Sequence, residues 1–155
     1  MPLGIFADKL LDITSRESGE IAEQWFRAVS ASPRTPAFHS LPKDMLVRQA
    51  STLYKNLKAM YFAERPYDEV VHFLESIRFT EDMFSKGIPL AELVYALILM
   101  RRNIWLHAET QVIFYNTAYD IHQQTESINR TVLIFDYIIF LVVEKYEDVA
   151  VRRVK

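Results

Sequence analysis

The sequence contains neither glycine nor proline from Leu90 to its last residue, Lys155. All three glycines and all six prolines lie at or before Pro89. Because these two residue types most often interrupt helices, this half of the chain is predicted to form two long helices. The first runs from Leu90 to about Asn116 and is apolar on more than one side, which is typical of a helix buried at the centre of a fold.

The second long helix is predicted to begin near Thr117 and to carry an apolar seam. Its apolar positions recur in the heptad spacing of helices that pair along their length. A helix from Thr117 to Arg152 is about 54 Å long, which exceeds the width of a small globular domain. We therefore expect part of it to project or to pair with a second copy in a homodimer. The seam comprises Ile121, polar Thr125, Ile128, and then the six residues to which the dimer contact is assigned, Val132, Phe135, Ile139, Val142, Tyr146 and Val149.

Proline and glycine divide the first half of the chain into shorter helices. Breaks are expected at Pro33–Pro42, at Pro66 and at Gly87–Pro89, between segments whose apolar residues recur every three to four positions. The segment before Pro33 fits either two helices or one bent helix, and residues 67–85 fit either a continuous or a kinked helix. No alternating pattern predicts a strand. The sequence therefore predicts one all-α domain over residues 1–155, with about five or six helices and a long C-terminal helix.

Composition excludes several functional classes. The chain has no cysteine, so it cannot form disulfides or use thiolate chemistry, and its formal net charge of −2 does not favour nucleic-acid binding. The longest apolar run, Val132 to Val143, is shorter than the roughly 20 residues that span a bilayer. The N-terminus reaches a charged residue at Asp8 without a signal-peptide pattern, so a cytoplasmic protein without membrane association is expected.

Residue spacing gives little indication of catalysis. The four histidines, His39, His72, His107 and His122, include no pair at the i, i+3 or i, i+4 spacing of a helical metal site. Glycine-rich phosphate loops and nucleophile elbows are missing from the sequence. We therefore expect no enzyme activity, no metal and no cofactor. His107 is the best candidate for a haem ligand, and the alternatives are a satisfied core histidine or a residue at an exposed edge.

Two further groups of residues leave alternatives open. The aromatic residues Trp25, Tyr95, Trp105 and Phe135 are candidates for lining a ligand pocket, although aromatic residues at helical spacing more often form core. Arg101 and Arg102 interrupt an apolar helix. They fit an anion or partner site, a pair of snorkelling side chains at an edge, or an ion pair with Asp136. Asp136 itself fits either a buried, paired carboxylate or an exposed position between two apolar stripes.

The run from Gly87-Ile88-Pro89 through Leu99-Met100-Arg101-Arg102-Asn103-Ile104-Trp105 resembles the N-terminal domain of RsbR-type proteins, the co-antagonists of RsbT, including the RsbRD N-terminal family. Ile21 to Trp25 resembles the tryptophan-bearing first helix of that family. Phe135-Asp136 and Glu144 to Glu147 resemble its last helix. The resemblance implies a globin-like, non-haem helical sensor domain of bacterial stress-response signalling that forms a homodimer and acts on an output domain or a signalling protein.

Three functional hypotheses follow from the sequence. In the first, a stimulus or a partner alters the packing of the long helices, and a dimeric C-terminal helix transmits the change. In the second, the domain is a globin-like sensor that holds haem or another small ligand. In the third, it is a protein-interaction bundle without a ligand.

Overall fold

The computed structural model of the protein describes residues 4–111 and 118–154. These residues form seven α-helices and one short 3-10 helix, without any strand among them, so the all-α prediction and the long C-terminal helix are confirmed. The predicted end of the first long helix near Asn116 and the predicted start of the second near Thr117 lie outside the described residues. In chain order the helices are α1 (Gly4–Arg16), α2 (Ser18–Ala31), the 3-10 helix (Pro36–Ser40), α3 (Lys43–Phe62), α4 (Pro66–Glu75), α5 (Phe79–Ser85), α6 (Leu90–Thr110) and α7 (Ala118–Val154).

The segment before Pro33 and residues 67–85, each of which fits one helix or two by sequence, both form two helices. The first splits at Glu17, whose backbone leaves the helical region at φ −107° and ψ 27°. The hydrogen bonds from Glu17 N to Ile13 O and from Ile21 N to Glu17 O continue across this bend, so α1 and α2 follow each other closely. The second segment breaks after Glu75 and resumes at Phe79. These divisions account for the seven helices.

Gly87 reverses the chain between α5 and α6. Its φ of +77° lies in the left-handed region, where glycine lacks the steric penalty of a Cβ atom. Gly87 N donates to Phe84 O and Ile88 N donates to Met83 O, which together form a Schellman motif. Ile88 is buried and supplies the apolar contact that accompanies this motif. The predicted stop at Gly87 and restart at Pro89 are therefore correct in position and in cause.

The helix α6 is held between α2 and α3 by hydrogen bonds to its backbone. The indole Nε1 of Trp25 on α2 donates to the carbonyl of Ala96 at 2.8 Å, and the hydroxyl of Tyr54 on α3 donates to the carbonyl of Met100 at 2.9 Å. Both aromatic side chains are fully buried. Because each polar atom has a partner, the two rings contribute apolar burial without leaving an unsatisfied donor in the core.

The helix α7 closes the bundle and packs mainly against α1, α4, α5 and α6, with a smaller contact to α3. Its inner face is buried within the protomer and consists of Ile134, Phe135, Ile138 and Val142, with polar Ser127 and Thr131 nearer the N-terminal end. Since α7 contacts five other helices, a change in the packing of any of them bears directly on its position.

Candidate functional site

The seam predicted on α7 is divided between the interior and the periphery of the protomer. Phe135 and Val142 are fully buried, and Ile139 packs against the same core. Tyr146 donates its hydroxyl hydrogen to Ile88 O at 2.8 Å and packs edge-on against Phe84. These contacts account for the heptad spacing of this part of the helix without a second chain, so most of the residues assigned to a dimer contact serve the fold of the protomer.

A different stripe of α7 faces outward. Leu133, Phe140 and Val151 are 41%, 56% and 55% exposed, and their spacing places them on one side of the helix. We call these three residues the outer stripe. Of the other seam residues, Val132 and Val149 are half-buried, whereas Ile121 and Ile128 are exposed nearer the N-terminal end of α7. The helix therefore presents apolar side chains to its own core and to its surroundings.

A groove of about 500 Å³ lies between α4, α5 and α7. Its apolar lining comes from Val71, Leu74, Ile77 and Leu141, and its charged lining consists of Glu75, Glu81, Glu144, Asp148 and Lys145. Arg78 lies 3.9 Å from Glu81, and Arg152 lies 3.0 Å from Asp148, so two of the four carboxylates have cationic neighbours. The groove therefore combines an apolar surface with an excess of negative charge.

The four aromatic residues predicted to line a pocket do not line this groove. Trp25 and Phe135 are fully buried, and the Trp25 ring packs edge-on against Phe38. Trp105 is stacked on Phe6 of α1 with ring centroids 6.5 Å apart, and the Tyr95 ring lies 5.8 Å from the Arg34 guanidinium. The structure thus gives these aromatic residues packing partners in different places, and the ligand-pocket assignment stays a prediction.

His107, the candidate haem ligand, lies on the inner side of α6 and is only 1% exposed. Its Nε2 lies 2.7 Å from Oε1 of Glu17, and its Nδ1 lies 3.4 Å from Nε2 of Gln24. Since both ring nitrogens have partners, this environment matches the alternative of a satisfied core histidine. Glu20, one turn after Glu17, completes a group whose ligand-type atoms all lie within 4.8 Å of one another.

The pairing of His107 with Glu17 escapes a search for sequence motifs. The two residues are 90 positions apart, and only the packing of α6 against α2 brings them together. The spacing rules for helical metal pairs test only residues on one helix. The signal available in the sequence was the position of a histidine on the apolar face of a helix, because such a buried polar group requires a partner.

No helix within residues 4–111 or 118–154 combines the length and apolar character needed to cross a bilayer. Compared with protein-family models, with curated proteins and with solved structures, the sequence has no significant match in any of the three. The resemblance to the RsbR-type N-terminal domain therefore stays a prediction from sequence motifs.

Proposed function

We propose that this chain is a non-enzymatic regulatory domain of bacterial signalling, of the RsbR N-terminal type, which forms a homodimer through the outer stripe of α7. The observation that carries the proposal is that α7 has exposed apolar side chains on the side opposite its buried face. Its inner face is buried in the protomer, whereas Leu133, Phe140 and Val151 remain exposed on the other side. Leu133 and Phe140 are one heptad apart, and Val151 lies on the same side three turns further on, so these side chains gain burial when they meet an equivalent stripe in a second chain.

The contacts of α7 also suggest how such a domain transmits a signal. The helix has 37 residues and packs against five other helices. A ligand or partner that shifts the packing of α4 or α5 thereby displaces α7. In the dimer, that displacement changes the pairing of the two α7 helices, and an output domain or a signalling protein responds to it.

The dimer is tested by measuring molar mass with light scattering after size-exclusion chromatography. We expect the wild-type protein to run as a dimer and Phe140→Glu to run as a monomer, because the substitution places a charge in the paired stripe. Phe62→Glu is the matched control, since Phe62 is an exposed phenylalanine of α3 and should leave the dimer intact. A wild-type protein that remains monomeric at high concentration would contradict the proposal.

The cysteine-free sequence permits a second test of the pairing geometry. A spin label on Glu147→Cys, an exposed α7 position near the outer stripe, would be the only thiol-linked label on each chain. Pairing along α7 predicts a single, narrow distance distribution between the labels of the two protomers. Phe140→Glu should abolish this signal, whereas a dimer formed through another surface would retain it.

The groove between α4, α5 and α7 favours a small-ligand sensor as the second candidate function. Its volume of about 500 Å³ lies in the usual range of small-molecule sites. Its carboxylates favour a cationic molecule with an apolar body and disfavour the propionates of haem. Calorimetric titration with phenethylamine should show binding to the wild type that weakens in Glu144→Gln. If the purified protein instead absorbs in the Soret region, the haem alternative is supported.

A further inference from the structure

The beginning of α2 and the last turns of α6 bring three potential metal ligands together. Glu17, at the bend between α1 and α2, and Glu20 on α2 lie beside His107 of α6. One carboxylate oxygen from each glutamate and one ring nitrogen of the histidine all lie within 4.8 Å of one another. This grouping of two carboxylates and one imidazole is independent of the outer stripe of α7 and of the groove.

The burial of the three side chains is graded from the core to the surface. His107 is held inside the protein, the Glu17 side chain is 25% exposed, and Glu20 is exposed. A buried imidazole at the base and more exposed carboxylates at the mouth leave a path for an ion to enter from solvent. They also leave room for water to complete the coordination, as in zinc sites with three protein ligands.

The distance between Glu17 and His107 requires only a small adjustment for coordination. Two ligand atoms at about 2.0 Å from a tetrahedral zinc ion are about 3.3 Å apart. Glu17 Oε1 and His107 Nε2 are now 2.7 Å apart, so Glu17 must withdraw by roughly half an ångström. The partial exposure of its side chain permits this movement, and its ion pair with the exposed Arg16 at 3.8 Å is weak enough to adapt.

Gln24 is placed to hydrogen-bond the His107 ring both with and without a bound metal ion. Its amide nitrogen lies 3.4 Å from His107 Nδ1, an arrangement in which the amide donates to Nδ1 and the Nε2–H of the ring donates to Glu17. When a metal occupies Nε2, the ring proton resides on Nδ1. A half-turn of the Gln24 amide then presents its oxygen to that proton, which is the supporting hydrogen bond typical of metal-bound histidines.

We infer that Glu17, Glu20 and His107 form a binding site for one divalent first-row transition-metal ion, with Gln24 positioning the imidazole. Imidazole and carboxylate together suit Zn²⁺, Fe²⁺ and Mn²⁺, and among these Zn²⁺ binds most tightly to a given set of nitrogen and oxygen ligands. The ion connects α2 to α6 and stabilises their packing, because it binds the folded chain and not the unfolded one.

The test uses the tag-free, chelator-treated full chain and zinc chloride as the probe. Calorimetry should show one zinc ion per chain, and the melting temperature should rise with zinc concentration. Glu20→Gln, which alters an exposed residue and should fold normally by circular dichroism, is expected to weaken zinc binding at least about 10-fold, as is His107→Gln. Gln24→Leu should weaken it by about 10- to 100-fold while preserving the stoichiometry.

The matched control is His122→Gln, because His122 is an exposed histidine with Glu126 as its own neighbour at 3.5 Å. Zinc affinity should be unchanged in this variant. The inference is overturned if the wild-type protein fails to bind zinc at micromolar concentration, if Glu20→Gln binds it as tightly as the wild type, or if His122→Gln is the variant that loses it. Cobalt substitution gives an independent readout, since a visible absorption band should appear in the wild type and be lost in Glu20→Gln.

Discussion

Arg101 of α6 and Asp136 of α7 form an ion pair between the two longest helices, with Nη1 and Oδ1 separated by 3.6 Å. The Asp136 side chain is 59% exposed, so the apolar sequence around it does not bury the carboxylate. The predictions that Asp136 is exposed between two apolar stripes and that it pairs with Arg101 are therefore both correct. Arg102 is exposed on the same helix.

The first prediction concerns the energetic weight of this ion pair. Because an exposed pair contributes little, Asp136→Asn should lower the free energy of unfolding by no more than about 1 kcal/mol. Ile138→Ala, two residues later on the buried face, should lower it by about 2–5 kcal/mol. Urea denaturation of the two variants measures both values, and a loss of 3 kcal/mol or more in Asp136→Asn would contradict the exposed assignment.

The sequence was sufficient for the helical class and for the main breaks because these depend on local chemistry. The Schellman motif at Gly87 needs a residue that adopts a positive φ, and Pro89 directly precedes α6. The heptad spacing of α7 was less informative, since a helix that packs on its own protomer repeats in the same way as one that packs on a partner. Only the burial of Phe135 and Val142 separates these two possibilities for those residues.

The candidate sites lay beyond sequence reasoning for a different reason. The group around His107 joins residues from α2 and α6, and the groove joins residues from α4, α5 and α7. Neither has a fixed spacing along the chain, because each depends on how helices distant in sequence cross one another. A helical pattern identifies which side of each helix is apolar, but it does not identify which helix packs against that side.

The second prediction concerns Tyr54 and alkaline pH. Burial raises the pKa of the Tyr54 hydroxyl well above its ordinary value of 10.0. Above pH 10 the unfolded chain releases this proton while the folded chain retains it, so the contribution to stability is complete below pH 10 and declines as pH rises. Tyr54→Phe should therefore lose stability less steeply above pH 10 than the wild type does.

At neutral pH the same substitution removes the hydrogen bond to Met100 O, and we expect it to lower the free energy of unfolding by about 1 kcal/mol. Urea denaturation at a series of pH values measures both effects. Burial also raises the pKa of Tyr61, so Tyr61→Phe should change the alkaline slope in the same direction. Parallel pH profiles for the wild type and Tyr54→Phe would contradict the assignment.

The third prediction contrasts two glycines. A Cβ atom at Gly87 or at Gly19 would meet no atom within 4 Å beyond its chain neighbours and the backbone of its own helix, so crowding does not distinguish the two sites. Gly87 has a φ of +77°, whereas Gly19 lies in the first turn of α2. Gly87→Ala should therefore destabilise the protein by about 1–2 kcal/mol, and Gly19→Ala should stabilise it by up to about 1 kcal/mol. Thermal denaturation that shifts both variants in the same direction would show that backbone conformation is not the deciding factor.

The fourth prediction concerns Arg130, which connects α7 to the end of α3. Its Nε donates to the carbonyl of Tyr61 at 2.7 Å, and its guanidinium lies 5.3 Å from the centre of the Tyr61 ring. This carbonyl belongs to the last turn of α3, where the helix has no hydrogen-bond donors of its own and where positive charge is favourable. Arg130 therefore acts as a C-terminal cap supplied by a distant helix.

Arg130→Ala should lower the free energy of unfolding by about 1.5–3 kcal/mol, the usual contribution of a hydrogen bond to a charged group. Arg153→Ala is the matched control, because Arg153 lies 5.9 Å from the Phe84 ring at an exposed position and should contribute no more than about 1 kcal/mol. Arg130→Lys retains the charge but loses the planar donor group, so its stability should lie between those of Arg130→Ala and the wild type. Equal losses in Arg130→Ala and Arg153→Ala, measured by urea denaturation, would show that ring contact rather than helix capping sets the effect.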